Sequence, residues 1–227
     1  MKPSSPHFFP LALPVVALLF VLVLVMLAML EVGVLDYAYE KLGVPHRAAI
    51  ALLVLSLLGS YVNIPIAELA AERIVSGEQV VFFGVRYTVP VVEDWPRTLI
   101  AVNLGGAVVP VLLSLYLLAR TGLFGPAALA IGVVALAVHA LARPVPGVGI
   151  AVPALVPPVI AVIAALFLAR DAAPAVAYAA GSLGTLIGAD LLNLRRIRGL
   201  GAPVASIGGA GTFDGIFVTG ILAVLLA

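Results

Sequence analysis

Two carboxylates stand out for the chemistry they could do together. Asp190, in Gly184-Thr-Leu-Ile-Gly188-Ala-Asp190, and Asp214, in Gly208-Gly-Ala-Gly211-Thr-Phe-Asp214-Gly215, occupy the last and most glycine-rich part of an otherwise largely apolar chain. An ionised side chain at membrane depth is costly unless it is paired, neutralised or wet, so two of them on neighbouring apolar segments mark a candidate site. Carboxyl groups held close cannot both ionise and come to share one proton. A pair in that state acts as general acid and general base at once, which suits activation of water against an amide.

Glycine spacing bears on whether they meet. Gly184-x-x-x-Gly188 precedes Asp190, and Gly211-x-x-x-Gly215 brackets Asp214. Small residues four apart let membrane helices approach at backbone contact, and two such faces on adjacent antiparallel segments would bring the carboxyl groups together. Structural roles stand beside this reading. Asp190 could cap a helix at the membrane boundary or pair with Arg195 or Arg196, and Asp214 could bond an amide of a broken helix.

The elements that must position these residues follow from composition. The 227 residues are 63% hydrophobic and 10% charged, with a mean hydropathy of +1.25. A soluble domain carries about 25% charged residues, so an integral membrane protein is expected. Twelve basic and eleven acidic residues leave a formal charge of +1, without the basic footprint of a nucleic-acid binder. The chain has no cysteine, which excludes disulfides and thiolate chemistry, and His7, His46 and His139 have no ligand spacing. No metal and no cofactor are expected.

A helix crosses the hydrocarbon with about 20 apolar residues, and windows of that length predict a bundle of about seven transmembrane helices. They cover Pro14–Val34, Ala48–Leu69, Thr98–Leu118, Leu123–Leu141, Gly149–Leu168, Ala173–Leu194 and Ala205–Leu226. The first is read as a retained span, because its core Leu11–Leu30 exceeds the length of a secretory h-region. The fold class is therefore an all-α integral membrane protein, a single polytopic domain. Its one exception lies at about 71–96, where Gln79-Val-Val-Phe-Phe-Gly84-Val-Arg-Tyr-Thr-Val89 has β-branched and aromatic runs on either side of a glycine. That pattern predicts an extramembrane β-hairpin.

Basic residues set the expected orientation. With a cytoplasmic amino terminus, that side receives Lys2, Arg73, Arg86, Arg97, Arg143, Arg195, Arg196 and Arg198, and the other receives Lys41, Arg47, Arg120 and Arg170. The bias places the amino terminus inside and the carboxyl terminus outside the cell membrane. Both aspartates then fall toward the cytoplasmic half.

A second cluster suggests ion or substrate binding. Val62-Asn63-Ile-Pro65 and Val102-Asn103-Leu with Pro110 set an amide beside a helix breaker in two spans, and Gly147 to Pro158, through Pro153-Ala154-Leu155, reads as interrupted or re-entrant. Broken helices free backbone groups at membrane depth, and transporters use such groups together with an intramembrane carboxylate. Asn63, Asn103, Asp190 and Asp214 would then hold a cation or proton.

The stretches Ser182 to Leu194 and Ala205 to Phe217, with Val62-Asn63-Ile-Pro65 and Val102-Asn103-Leu-Gly-Gly106, resemble an uncharacterised prokaryotic family of polytopic membrane proteins, a domain of unknown function that supplies no activity. Gly209-Ala-Gly211-Thr-Phe-Asp214-Gly-Ile-Phe-Val-Thr-Gly is similar to the GxGD helix of intramembrane aspartyl proteases, the presenilin and signal peptide peptidase group. That similarity implies Asp190 and Asp214 as the catalytic pair on consecutive helices, and Pro153-Ala154-Leu155 as the tripeptide that group keeps near its active site. Thr212 and Phe213 are two residues more than the motif has, Ala189 replaces a tyrosine, and Pro153-Ala-Leu precedes the pair instead of following it. The expected partners are membrane lipid and either a transmembrane peptide substrate or a small ion, with no nucleic acid.

Overall fold

Away from water a backbone must satisfy itself, either within a helix or across paired strands, and this chain does both. The computed structural model describes residues 18, 20–25, 33–70, 79–82, 85–88, 97–145, 149–196, 204–209 and 215–227. Its helices are α1 Val34–Lys41, α2 His46–Gly59, α3 Val109–Thr121, α4 Phe124–Leu141, α5 Val156–Leu168, α6 Ala173–Thr185 and α7 Gly215–Leu226. Its strands are β1 Asn63–Ala70, β2 Gln79–Phe82, β3 Val85–Thr88, β4 Arg97–Asn103, β5 Arg143–Val145, β6 Gly149–Ala151 and β7 Val204–Ile207.

Among the described residues, three helical stretches are long and apolar enough to cross a membrane: Leu104–Thr121, Phe124–Leu141 and Arg170–Asn193. Helices α2, α5 and α7 are apolar but shorter. The shortfall from about seven has a physical reason, because the ends of several apolar runs are strands. Ala48–Leu69 divides into α2 and β1, Thr98–Leu118 into β4 and a helix, Gly149–Leu168 into β6 and α5, and Ala205–Leu226 into β7 and α7. Most of the first expected span lies outside the described residues.

Helix α6 is the axis of the bundle, packed by α3, α4, α5 and α7. Its sequence, Ala-Pro-Ala-Val-Ala-Tyr-Ala-Ala-Gly-Ser-Leu-Gly-Thr, allows four neighbours because small side chains let backbones approach on every face. Helix α4 is one-sided by contrast. Ala127, Ala130, Val134 and Val138 recur at helical spacing and are buried, while on the outer face Leu136 is 69% exposed. Phe167 of α5 is 86% exposed. Large apolar side chains turned outward in this number make a surface suited to lipid.

Of the prolines expected to interrupt spans, Pro65 lies in β1, Pro157 falls in the first turn of α5, where the missing N–H is harmless, and Pro110 stands where a π-turn, Leu104–Val108, passes into α3. The segment before Pro153 is no re-entrant helix, since β6 pairs antiparallel with β5.

Three segments remote in sequence build the main sheet, ordered β1-β4-β7. Strand β1 is antiparallel to β4, with Asn63 opposite Asn103 and a shift in register between Pro65 and Ala67. Strand β7 is parallel to β4, with Leu99 opposite Val204 and Val102 opposite Ile207. In the insertion between β1 and β4, β2 pairs antiparallel with β3 from Gln79↔Thr88 to Phe82↔Val85. Strand β1 follows α2, and β4 and β7 lead toward α3 and α7, so the sheet closes one end of the bundle. The other end holds the turn between α1 and α2, tied to the end of α3 by the Arg120 guanidinium, which donates to Gly43 O at 2.6 Å.

Candidate functional site

Asp190 ends a broken helix. Where α6 would continue, the chain widens into a π-turn, Leu186–Asp190, and then tightens into a 3-10 turn, Leu191–Asn193. Such irregularity frees carbonyl groups, and Asn193 answers them: its fully buried Nδ2 donates to Gly188 O at 2.8 Å and to Ala189 O at 3.0 Å. Asn193 Oδ1 is buried without a hydrogen-bond partner among the described residues. Asn193 carries no signal in the sequence, because it falls inside the predicted span Ala173–Leu194 and not beyond its end.

The half-buried Asp190 carboxylate is held by the strand that leads to the last helix. Its Oδ2 accepts the Gly208 N–H at 2.7 Å. Gly208 has φ +85°, and a Cβ there would lie 2.6 Å from both Cβ and N of Ala107. Backbone conformation and space therefore both require glycine at this position. The pairing of Asp190 with Arg195 or Arg196 is not seen. Both arginines are exposed, and the carboxylate accepts from the Gly208 amide instead.

Asn63 and Asn103 meet in the same region, yet as structural groups. Asn103 is buried at the end of β4, where its Oδ1 caps the π-turn Leu104–Val108 by accepting the Gly106 N–H at 2.8 Å. Its Nδ2 donates to Ser60 O at 2.7 Å and to Asn63 Oδ1 at 3.1 Å. The Ser206 hydroxyl also donates to Asn63 Oδ1. Strand β7 and the glycine after it thus join the two groups, through the Ser206 side chain to the asparagines and the Gly208 amide to Asp190. Neither asparagine lies within a helical span. The cap that Asn103 makes explains why an amide follows β4.

The Gly184/Gly188 face points elsewhere than toward the last helix. A Cβ on Gly184 would lie 2.6 Å from Val134 Cβ, and one on Gly188 would collide with the Ala135 carbonyl and Val138, so this pair seats α6 on α4. Contact between α6 and α7 is made by Tyr178, Gly181 and Ser182 against Thr219, Gly220 and Ala223. Ser182 meets Gly220, while Asp190, further along α6, meets Gly208 before α7 begins, which makes the two helices antiparallel. Gly215 opens α7, and a Cβ there would meet nothing. Asp214 and Gly211 lie outside the described residues.

Pro153, Ala154 and Leu155 are exposed at the start of α5, next to β6, which packs on the π-turn that carries Asp190. Among the described residues no three His, Asp or Glu side chains are grouped to hold a metal ion.

The chain matches one family model, described as a protein of unknown function (DUF1614), over residues 57–226. No curated protein and no solved structure matches it. The matched region starts within α2 and takes in the sheet, both π-turns and α7.

Proposed function

Since the chain belongs to the DUF1614 family, whose description leaves the activity open, we propose from its own site that it is an intramembrane aspartyl hydrolase, with Asp190 and Asp214 sharing a proton and activating water against a peptide bond. The observation that carries this is the 2.7 Å bond from the Gly208 N–H to the Asp190 carboxylate. It fixes Asp190 against the segment that, six residues on, bears Asp214 at the entrance to α7. The ionised member of the pair takes a proton from water as the oxygen attacks the scissile carbonyl carbon, and the protonated member gives its proton to the carbonyl oxygen. Collapse of the resulting gem-diol breaks the C–N bond: the carboxyl group that took the water proton gives it to the leaving nitrogen, and the other carboxylate takes a proton from a diol hydroxyl. This leaves a carboxylic acid, an amine and the singly protonated pair.

An extended substrate has a place to lie. Strand β7 is the edge of its sheet, and among the described residues it pairs with β4 alone. A peptide strand added there would gain main-chain hydrogen bonds within reach of Asp190. Bilayer placement of the bundle and a cytoplasmic position for the sheet end belong to the same proposal.

A second reading, an ion- or proton-coupled transporter or channel, is favoured by one observation. The hydroxyls of Ser114 on α3 and Thr185 on α6 are buried with no hydrogen-bond partner among the described residues, and such groups could relay a proton toward Asp190. The Asn103 amide is engaged throughout and adds no free ligand.

The test is cleavage of a reconstituted transmembrane peptide. Asp190→Asn and Asp214→Asn should each reduce it by at least about 100-fold, and no cleavage by the wild type would end the hydrolase reading. Loss of proton-dependent uptake into liposomes in the same variants would establish the transporter.

A further inference from the structure

At the end of the bundle opposite Asp190, α2 and α3 separate along an apolar groove of about 420 Å³. That volume is within the range of about 300–1,000 Å³ found for small-molecule sites. The cause is a local change of side-chain size. Ala48 and Ala51 leave α2 hollow, and Leu52 and Leu55 on the same helix face Leu112 and Tyr116 across the gap.

The groove reaches the α1–α2 turn at Val44 and Pro45, and cations gather there. Lys41 ends α1, Arg47 sits exposed in the first turn of α2, and Arg120 lies in the last turn of α3. Arg120 Nη1 bonds the carbonyls of Gly43 at 2.6 Å and Leu42 at 3.4 Å, which pins the guanidinium at the mouth. Among the described residues its bonds run through Nη1 alone, which leaves the rest of the guanidinium fork to face outward with Arg47. Lys41 Nζ rests 4.9 Å over the Tyr37 ring. Glu40 is the one acidic residue of this turn whose side chain is described. Helix α2 begins at Pro45 without a side-chain cap, so the positive end of its dipole adds to the same field.

We propose that this groove binds an anionic glycerophospholipid of the surrounding bilayer, with one acyl chain between α2 and α3 and the phosphate at Arg47 and Arg120. The charge pattern selects this occupant. An apolar helix would fill the trough without using the cations, and a soluble anion would use the cations without filling the trough. Guanidinium groups pair with phosphate by forked, charge-assisted hydrogen bonds. The inference rests on bilayer placement but not on the aspartate chemistry, and its readout needs no catalysis.

The full chain, purified in detergent, is exchanged against equal amounts of phosphatidylglycerol and phosphatidylcholine with identical acyl chains, and retained lipid is measured by native mass spectrometry. Two cations at the headgroup should favour phosphatidylglycerol about tenfold. Arg47→Gln should reduce that preference. Ala51→Trp, which fills the groove from an exposed position, should lose both lipids with an unchanged melting temperature. Equal retention of the two lipids by the wild type, or undiminished retention by Ala51→Trp, overturns the proposal. So does a photo-crosslinker at Leu55 in native membranes that captures residues 11–30 of this chain or a second copy instead of lipid.

Discussion

Asp190 and Asn103 are both polar residues in apolar surroundings, and their bonds separate a candidate reactive group from a cap. Asn103 uses Nδ2 twice and Oδ1 once, all on neighbours it holds in place. Asn103→Ala strands the buried Gly106 N–H and Ser60 carbonyl, which should cost about 1–3 kcal/mol, read as a lower melting temperature in detergent. Asp190→Asn should behave differently. The new amide oxygen can still accept the Gly208 N–H, so the fold should survive with a melting temperature close to that of the wild type. A variant that unfolds would mean that the charge itself holds the segment. At this scale the sequence was partly legible. Rarity alone flags a carboxylate or an amide in an apolar run, whereas the distinction between site and cap depends on partners far away in the chain, Gly208 for one and Ser60 for the other.

Among the elements, α6 shows why spacing does not identify a neighbour. Gly184 and Gly188 lie on one helical face, as the pattern requires, and that face meets α4. Gly184→Leu should therefore open the α4–α6 contact at a cost of about 1–3 kcal/mol, whereas Gly215→Ala, where a Cβ meets nothing, should stay within about 0.5 kcal/mol of the wild type. Denaturant titration in mixed micelles gives both values, and equal effects would contradict the packing. The helices that fill an apolar run from end to end, α4 and the stretch through α6, were readable from hydropathy, and the pairing of β2 with β3 from their β-branched and aromatic runs. Strands β1, β4 and β7 were not. Ile64-Pro-Ile-Ala-Glu-Leu69 continues the apolar run of α2, and a short apolar segment carries no period that separates strand from helix. Its partner is a strand beyond the insertion, and the partner of β7 lies far earlier in the chain.

At the scale of the molecule, the described residues place the sheet, both π-turns and Asp190 at one end of the bundle and the Gly43–Arg120 tie at the other. If the bundle spans a bilayer, these ends face different compartments. The chain has no native cysteine, so single cysteines report cleanly. Tyr61→Cys beside the sheet and Gly125→Cys at the start of α4, both at open positions, should react with impermeant maleimide from opposite sides of sealed vesicles. The bias of basic residues puts Tyr61 on the cytoplasmic side. Labelling of both from one side would exclude the spanning arrangement.

The parallel pairing of β4 with β7 joins position 99 to position 204, and it also sets an order of assembly. Parallel strands so distant must close a large loop before any contact compensates the lost entropy, and such steps are slow. The amide that grips Asp190 immediately follows the later of these strands. A nascent polypeptide can thus seat its helices up to α6 while Asp190 still lacks this bond, which forms only once β7 has been made and docks beside β4.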